Sequence, residues 1–263
     1  MPGLIVNGTI TRTKVATGAD LVGYSGFSAS NYLQQPYTSS MDFGTGDFCV
    51  MGWVKRTAAN SFRTFAMRGL YTGGVYSGSQ ISVGTDGSDA LRFTASDDGY
   101  SSSDVMVGSV LPLNVWSHFC VFRFGSTFYM YQDAMLTDSQ SVTAASGSLS
   151  NTNASLLFGN SAALSSAFLG SLALFRISAT APTADQIAKI YNDEKVLFQD
   201  GAQATLYGAS DAVTALAYDD DTNLLSVGTS AGRSDFQGLR RVANTTTAVS
   251  TFISANASMI VEQ

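Results

Sequence analysis

Glutamate is almost missing from this chain. Of its 20 acidic residues only Glu194 and Glu262 are glutamates, so the first 193 positions hold none. Charged residues make up 13% of the whole, against ~25% in an ordinary globular domain. With Glu and Lys this scarce, long solvated helices are excluded, and solubility has to come from Ser, Thr, Asn and Gly in short polar turns. That composition selects strands. A Lys/Arg stripe is also missing, beyond the pair Arg240-Arg241, and the net charge of −6 argues against nucleic acid as a partner. No apolar run approaches a membrane span, and MPGLIVNGTI lacks the basic start and long apolar core of a secretory signal. Synthesis in a cytoplasm, with no membrane partner, is the expectation.

Histidine and cysteine are nearly as rare. One His (His118) and two distant Cys (Cys49 and Cys120) cannot form the usual zinc site. Both cysteines sit inside apolar strand patterns and read as buried free thiols acting as small hydrophobes. His118 lies mid-strand between Ser117 and Phe119, next to Trp116, and reads as a packed histidine rather than a catalytic base.

What is present is a succession of short apolar segments punctuated by Gly, Asn and Asp. Residues 1–30 alternate small, polar and apolar groups and read as one or two strands or an arm. Strand-like segments follow at 48–55, 62–69, 80–85, 90–96, 105–110, 115–124, 127–133, 154–160 and 170–178. In the first, Phe48, Val50, Gly52 and Val54 alternate with Cys49, Met51 and Trp53. Both faces are apolar, as expected of a strand covered on both sides of a sandwich. One helix interrupts the pattern, APTADQIAKIYNDEKVLF (181–198). Thr183 and Gln186 have the spacing of a capping box, and Ile187, Ile190 and Tyr191 form an apolar stripe. Beyond it, 199–263 reads as a small β unit, blade-like, with an acidic turn and a Gly turn. The expected organisation is thus 1–30 as arm or strands, 31–198 as a sandwich ending in the helix, and 199–263 as a small β domain for docking or oligomerisation.

Residues 42–178 resemble a laminin-G/concanavalin-like jelly roll. The resemblance rests on DFGTGDFCVMGWVK, NVWSHFCVFRFGSTFYMYQD, SLLFGN and GSLALFRIS, followed by APTADQIAKIY. It implies an all-β jelly-roll sandwich with one short helix. Ala134 departs from the pattern, since the family usually carries Gly after the hairpin residue Asp133. Residues 194–242 are similar to a segment that follows such domains in tailed-bacteriophage virion proteins. That likeness implies a structural or adhesive protein, a capsid decoration or tail-fibre element, made in bacterial cytoplasm and displayed on the virion surface. Sister subunits in a homo-oligomer (a trimer), other virion proteins and host-surface glycans are the partners it implies.

Hydrolases of this fold place glutamates on an inner strand, and here none is available. Asp86, Asp89, Asp97, Asp98, Asp104 and Asp138 fall mostly in turn contexts, so the chain reads as non-enzymatic. No cofactor is required. Calcium is the one candidate ion, because Asp219, Asp220, Asp221 and Asn223 offer hard oxygens and laminin-G relatives often bind it at a loop edge. DDDTN is equally what an acidic β-turn looks like, and it does not fit the EF-hand. For glycan binding the candidates are Tyr71, Tyr76, Asp98 and Tyr100, in the loops GLYTGGVYSGSQ and SDDGYSSSD. Aromatic rings beside Gly, Ser and Asp can stack a sugar and bond its hydroxyls. The runner-up to a virion structural role is a glycan-binding adhesin or receptor-binding module.

Overall fold

The structure is a computed structural model that describes residues 3–59, 62–99, 103–210, 212–257 and 259–263. Period-two alternation of apolar and polar residues has been built into antiparallel ladders throughout. The first ten strands are β1 (Ile5–Asn7), β2 (Thr11–Lys14), β3 (Val22–Ser25), β4 (Tyr32–Gln35), β5 (Phe48–Arg56), β6 (Arg63–Thr72), β7 (Val75–Thr85), β8 (Ala90–Ser96), β9 (Asp104–Val110) and β10 (Ser117–Phe124). They are followed by β11 (Thr127–Gln132), β12 (Met135–Ser141), β13 (Ser155–Phe158) and β14 (Gly170–Ser178). Two seven-stranded sheets result, in the orders β1-β4-β13-β6-β7-β8-β9 and β12-β11-β10-β5-β14-β3-β2.

The inward residues of both sheets form one core, including Phe48, Phe65, Phe93, Phe119, Phe128 and Met130. Phe48 sits at its centre, stacked on Phe43 at 5.1 Å and edge-on to Phe128 at 6.1 Å. This is the expected jelly-roll sandwich. As the sequence indicated, β5 and β10 are buried on both faces: Cys49, Met51, Trp53, His118 and Cys120 are as enclosed as the core-facing set. The two strands pair from Ser117↔Val54 to Arg123↔Phe48. Cys49 and Cys120 are unbridged, with 3.5 Å between their sulfurs. The contact with Cys49 and burial push the Cys120 thiol well up, so it stays protonated and unreactive.

The N-terminal stretch forms more strands than its thin composition led us to expect. β1 pairs with β4 in one sheet, while β3 pairs with β14 and β2 lies at the edge of the other. Arg68 projects from β6 and is 1% exposed. Its guanidinium donates to Asp42 at 2.6 Å and to the carbonyls of Leu149 and Asn151 at 2.7 and 3.1 Å. A buried charge persists only when paired in this way.

The chain divides into two units. The first comprises Gly23–Ala188 with the stretch as far as Thr13, and the second Lys14–Val22 with Lys189–Gln263. Helix α1 (Ala184–Lys195) crosses the division and is capped as its spacing indicated. The Thr183 N–H donates to Gln186 Oε1 at 2.9 Å, and the Gln186 N–H to Thr183 Oγ1 at 3.2 Å.

In the second unit β15 (Val213–Asp219), β16 (Leu224–Thr229), β17 (Gly232–Gln237) and β18 (Arg240–Asn244) form a four-stranded meander. A hairpin of β19 (Ile253–Asn256) and β20 (Met259–Glu262) accompanies it. Arg233 links the two, bonding Asp235 at 2.9 Å and Glu262 at 2.6 Å. Residues 14–22 are tied into this unit across more than 180 positions of sequence. The Thr17 N–H donates to Asp200, and Asp20 accepts from the N–H groups of Ala204 and Thr205 and from the Thr205 hydroxyl.

The β11–β12 hairpin turns on Asp133 and Ala134, whose φ angles are +49° and +67°. Two consecutive positive φ values define the turn that favours Asn-Gly or Asp-Gly. Ala134 adopts this geometry at the steric cost of its Cβ, and Asp133 Oδ1 anchors the turn by accepting the His118 N–H at 2.7 Å. Ala134→Gly should therefore stabilise the sandwich by about 1 kcal/mol in urea denaturation; a loss of stability would contradict this turn geometry.

Candidate functional site

The outer face of the β6-β7-β8 ladder carries a cleft of about 250 Å3. At ~30 Å3 per water it holds the volume of about eight waters, on the scale of a single sugar residue. Its floor is a polar row. Ser82 lies opposite Met67 on one side and Thr94 on the other, and in the next row Gly84 lies between Thr64 and Arg92.

Thr64 and Met67 would point to opposite faces of a regular strand, being three residues apart. A bulge in β6 between Thr64 and Ala66 sends both Phe65 and Ala66 into the core, and so returns Met67 to the face that Thr64 occupies. Gly84 makes the bulge possible. A Cβ at this position would overlap the Arg63 carbonyl oxygen. Only glycine lets the bulged strand come this close.

One wall is the 160–166 loop, hung from Asn160. This fully buried side chain accepts the N–H groups of Ser161 and Ser166 at 2.9 and 3.1 Å and donates to Ser28 O at 3.0 Å. Ser161 and Ser166 thereby line the cleft. Arg63, Arg92, Phe62 and Tyr76 complete it. Phe62 is 60% exposed, with the Arg92 guanidinium 5.8 Å from its ring centre. Among the described residues no Asp or Glu belongs to the lining.

Of the residues expected to read a glycan, Tyr76 lines this cleft. Tyr71 is its direct cross-strand partner, edge-on at 5.0 Å. Tyr71 itself faces a second hollow of about 180 Å3, with Tyr32, Gln34 and Asn153. Asp98 is exposed in the β8–β9 loop, where it accepts the Ser96 hydroxyl at 2.7 Å, and Tyr100 lies outside the described residues. The stretch GLYTGGVYSGSQ, expected to be a loop, is instead the end of β6 and the start of β7 joined by a turn at Gly73 and Gly74, and Gly99 of the other stretch packs against the backbone of Tyr76–Gly78 so closely that a Cβ would sit 2.8 Å from the Tyr76 carbonyl. Sequence reasoning missed Phe62, Arg63, Arg92, Ser82, Thr94, Ser161 and Ser166. The available signal was the polar half of the alternation in ISVGT and ALRFTAS.

The residues considered for calcium lie apart from this cleft, in the β15–β16 turn. Asp219 is buried and accepts the N–H groups of Asp221 and Ala257 and the Thr222 hydroxyl. Asn223 has φ +56° and accepts from the Tyr218 hydroxyl at 3.1 Å, while Asp220 and Asp221 are exposed. Among the described residues no group of three or more His, Cys, Asp or Glu could hold a metal ion.

The aspartates weighed as catalytic groups are similarly engaged. Asp104 accepts from Thr143 and Ala145; burial would push its pKa up, but these hydrogen bonds hold it below the ordinary value. Asp86 accepts the N–H groups of Ser88 and Ala90, Asp89 pairs with Arg56, and Asp97 takes the Gly147 N–H. His118 is fully buried beside Trp53, with ring centres 5.3 Å apart.

Residues 27–188, more than half the chain, match a laminin-G-type family described as the concanavalin A-like lectin/glucanases superfamily. The chain belongs to this superfamily. Among solved structures it is similar to domain 4 of AbnA, a GH43 extracellular arabinanase from Geobacillus stearothermophilus determined with arabinotriose. That likeness has 18% identity and a TM-score of 0.52, covering 72% of this chain and 87% of that one. The binding domain of Paraclostridial Mosquitocidal Protein 1 shares 14% identity at a TM-score of 0.56, over 88% of this chain and 60% of that one. The CBM40 of the Ruminococcus gnavus IT-sialidase shares 9% at a TM-score of 0.50, over 61% and 96%. At these identities the likeness is one of fold. Comparison with curated protein sequences finds no match. The segment 194–242 lies beyond the matched residues.

Burial, and secondarily the Arg176 charge, lower the pKa of His118 from 6.5 to about 4 in this superfamily member. Between these values the unfolded chain binds the extra proton, so stability falls as pH drops through the window. At ~1.4 kcal/mol per pH unit the loss reaches about 3 kcal/mol at pH 4. Melting curves from pH 7 to pH 4 should show it, and His118→Phe should flatten that part of the profile. An unchanged profile in the variant would place the titrating group elsewhere.

Proposed function

We propose that this chain is a non-catalytic carbohydrate-binding protein that holds a sugar in the cleft on the outer face of β6, β7 and β8. One observation carries the reading: hydroxyls, guanidinium groups and aromatic rings converge on a sugar-sized hollow with no carboxylate in its lining among the described residues. Aromatic faces take the apolar side of a sugar ring, and Ser and Thr hydroxyls exchange hydrogen bonds with its hydroxyls. Glycosidic cleavage needs a carboxyl pair that this lining lacks. The superfamily includes both lectins and glucanases, and two of the similar domains are a CBM40 and an arabinanase domain determined with arabinotriose. A glycan array with the labelled chain should give discrete hits. Phe62→Ala and Tyr76→Ala should each weaken them about tenfold, the ~1.4 kcal/mol expected of a lost stacking contact. Release of reducing ends from a bound oligosaccharide would sink the non-catalytic part.

We infer further that the setting is the surface of a bacteriophage particle, where the second unit joins sister subunits into a trimer or docks on other virion proteins. The likeness of 194–242 to phage virion segments supports this, as does an open apolar face. Leu216, Tyr218 and Leu225 project from the same side of β15 and β16 and are 60%, 53% and 36% exposed. An apolar interface with few ion pairs resists salt. Light scattering should give a trimer mass that Leu216→Glu lowers and high salt does not; a monomer for the unsubstituted chain would remove the idea.

A further inference from the structure

We propose that the β6-β7-β8 cleft is one end of a longer groove, and that its ligand is an oligosaccharide that also fills the second hollow beside Tyr71; this rests on the glycan-binding reading above. That hollow, of about 180 Å3, is lined by Tyr32, Gln34, Tyr71, Asn153, Ser155 and Leu164 among others. At ~30 Å3 per water it has the volume of about six waters, again on the scale of one sugar residue. Like the cleft, it sets hydroxyl and amide groups beside aromatic rings. Some of these groups are already held in place: Gln34 Nε2 donates to Ser155 Oγ at 3.0 Å, and Asn7 Nδ2 to Gln34 Oε1 at 3.4 Å.

The two hollows open on the same face of the same sheet. Directly opposite residues of neighbouring strands point to one side, and Ser82, Met67, Leu157 and Gln34 follow one another across β7, β6, β13 and β4. Ser82 and Met67 line the cleft, Leu157 and Gln34 the hollow. At the usual strand spacing this row is ~14 Å long, more than one sugar ring covers. Met67, in the middle of the row, is buried under the 160–166 loop, whose Ala162 N–H donates to its sulfur at 3.4 Å. The loop turns there, with the Leu164 N–H donating to the Ser161 carbonyl at 2.9 Å. Ser161 and Ser166 thus border the cleft, while Ala162 and Leu164 border the hollow. The ligand passes this ridge at the tyrosine pair. Tyr76 lines the cleft, Tyr71 lines the hollow, and their ring centres lie 5.0 Å apart. Two rings this close give an aromatic surface that runs from one hollow into the other, on which a chain of sugar residues can rest. A further sugar residue entering a preformed hollow adds contacts without a second loss of rigid-body freedom, so affinity should climb with length.

The test is calorimetric titration of the full chain with arabino-, galacto- and gluco-oligosaccharides, each from the disaccharide to the hexasaccharide, and with the same series of the strongest array hit. In any series that binds, the tetrasaccharide should bind at least about tenfold tighter than the disaccharide. The ratio of those two affinities should fall towards unity in Tyr71→Ala and in Gln34→Ala, whereas Phe62→Ala should weaken both lengths alike; melting curves verify that each variant folds. Equal affinity for both lengths, or a length dependence that survives Tyr71→Ala and Gln34→Ala, overturns the extended groove while leaving the glycan reading intact. Silence in every series and on the array overturns both.

Discussion

Everything in the first unit depends on the pairing of β5 with β10. Each strand is buried on both faces, so each can lie only inside the molecule, side by side in the same sheet. Once they are fixed, Phe48, Val50, Phe119 and Val121 define the core against which the opposite sheet has to pack. The burial of His118 and its lowered pKa follow from the same constraint, as does the inert pair of thiols. None of these is a device for chemistry. They are consequences of putting nearly every side chain of two strands out of water.

The cleft exists because the opposite sheet is less regular. A ladder with strict alternation would divide β6 into one apolar and one polar face. The bulge at Phe65–Ala66 bends the strand, and Gly84 admits the close approach that follows. Asn160 then holds the 160–166 loop as a wall. The buried Asp42–Arg68 pair lies on the core side of the same strand, joining β6 to the segments around Leu149 and Asn151. A rigid scaffold with side chains from three strands and one loop is the usual way a binding surface is held ready.

The fold was largely legible because burial on both faces leaves a local mark: FCVMGWVK and SHFCVFRF are apolar without helical spacing. The helix cap at Thr183 and Gln186 was legible for the same reason, since every partner lies within three residues. The candidate site was legible only in part. Tyr76 stands out as an aromatic in a polar loop, whereas Arg63, Arg92, Ser161 and Ser166 come from separate stretches that look ordinary in isolation. The bulge hid the relation between Thr64 and Met67, because counting residues assigns them to opposite faces.

By itself, then, the sequence determined that the chain is a β sandwich with a capped helix and a small β unit. Those properties arise from near neighbours and from the period of a strand. Only the tertiary structure decided which polar residues share a hollow, and that residues 14–22 join the C-terminal unit through Asp20 and Thr205. Register, bulges and contacts between distant segments are settled by packing, where a shift of one residue exchanges the buried and exposed faces of a whole strand.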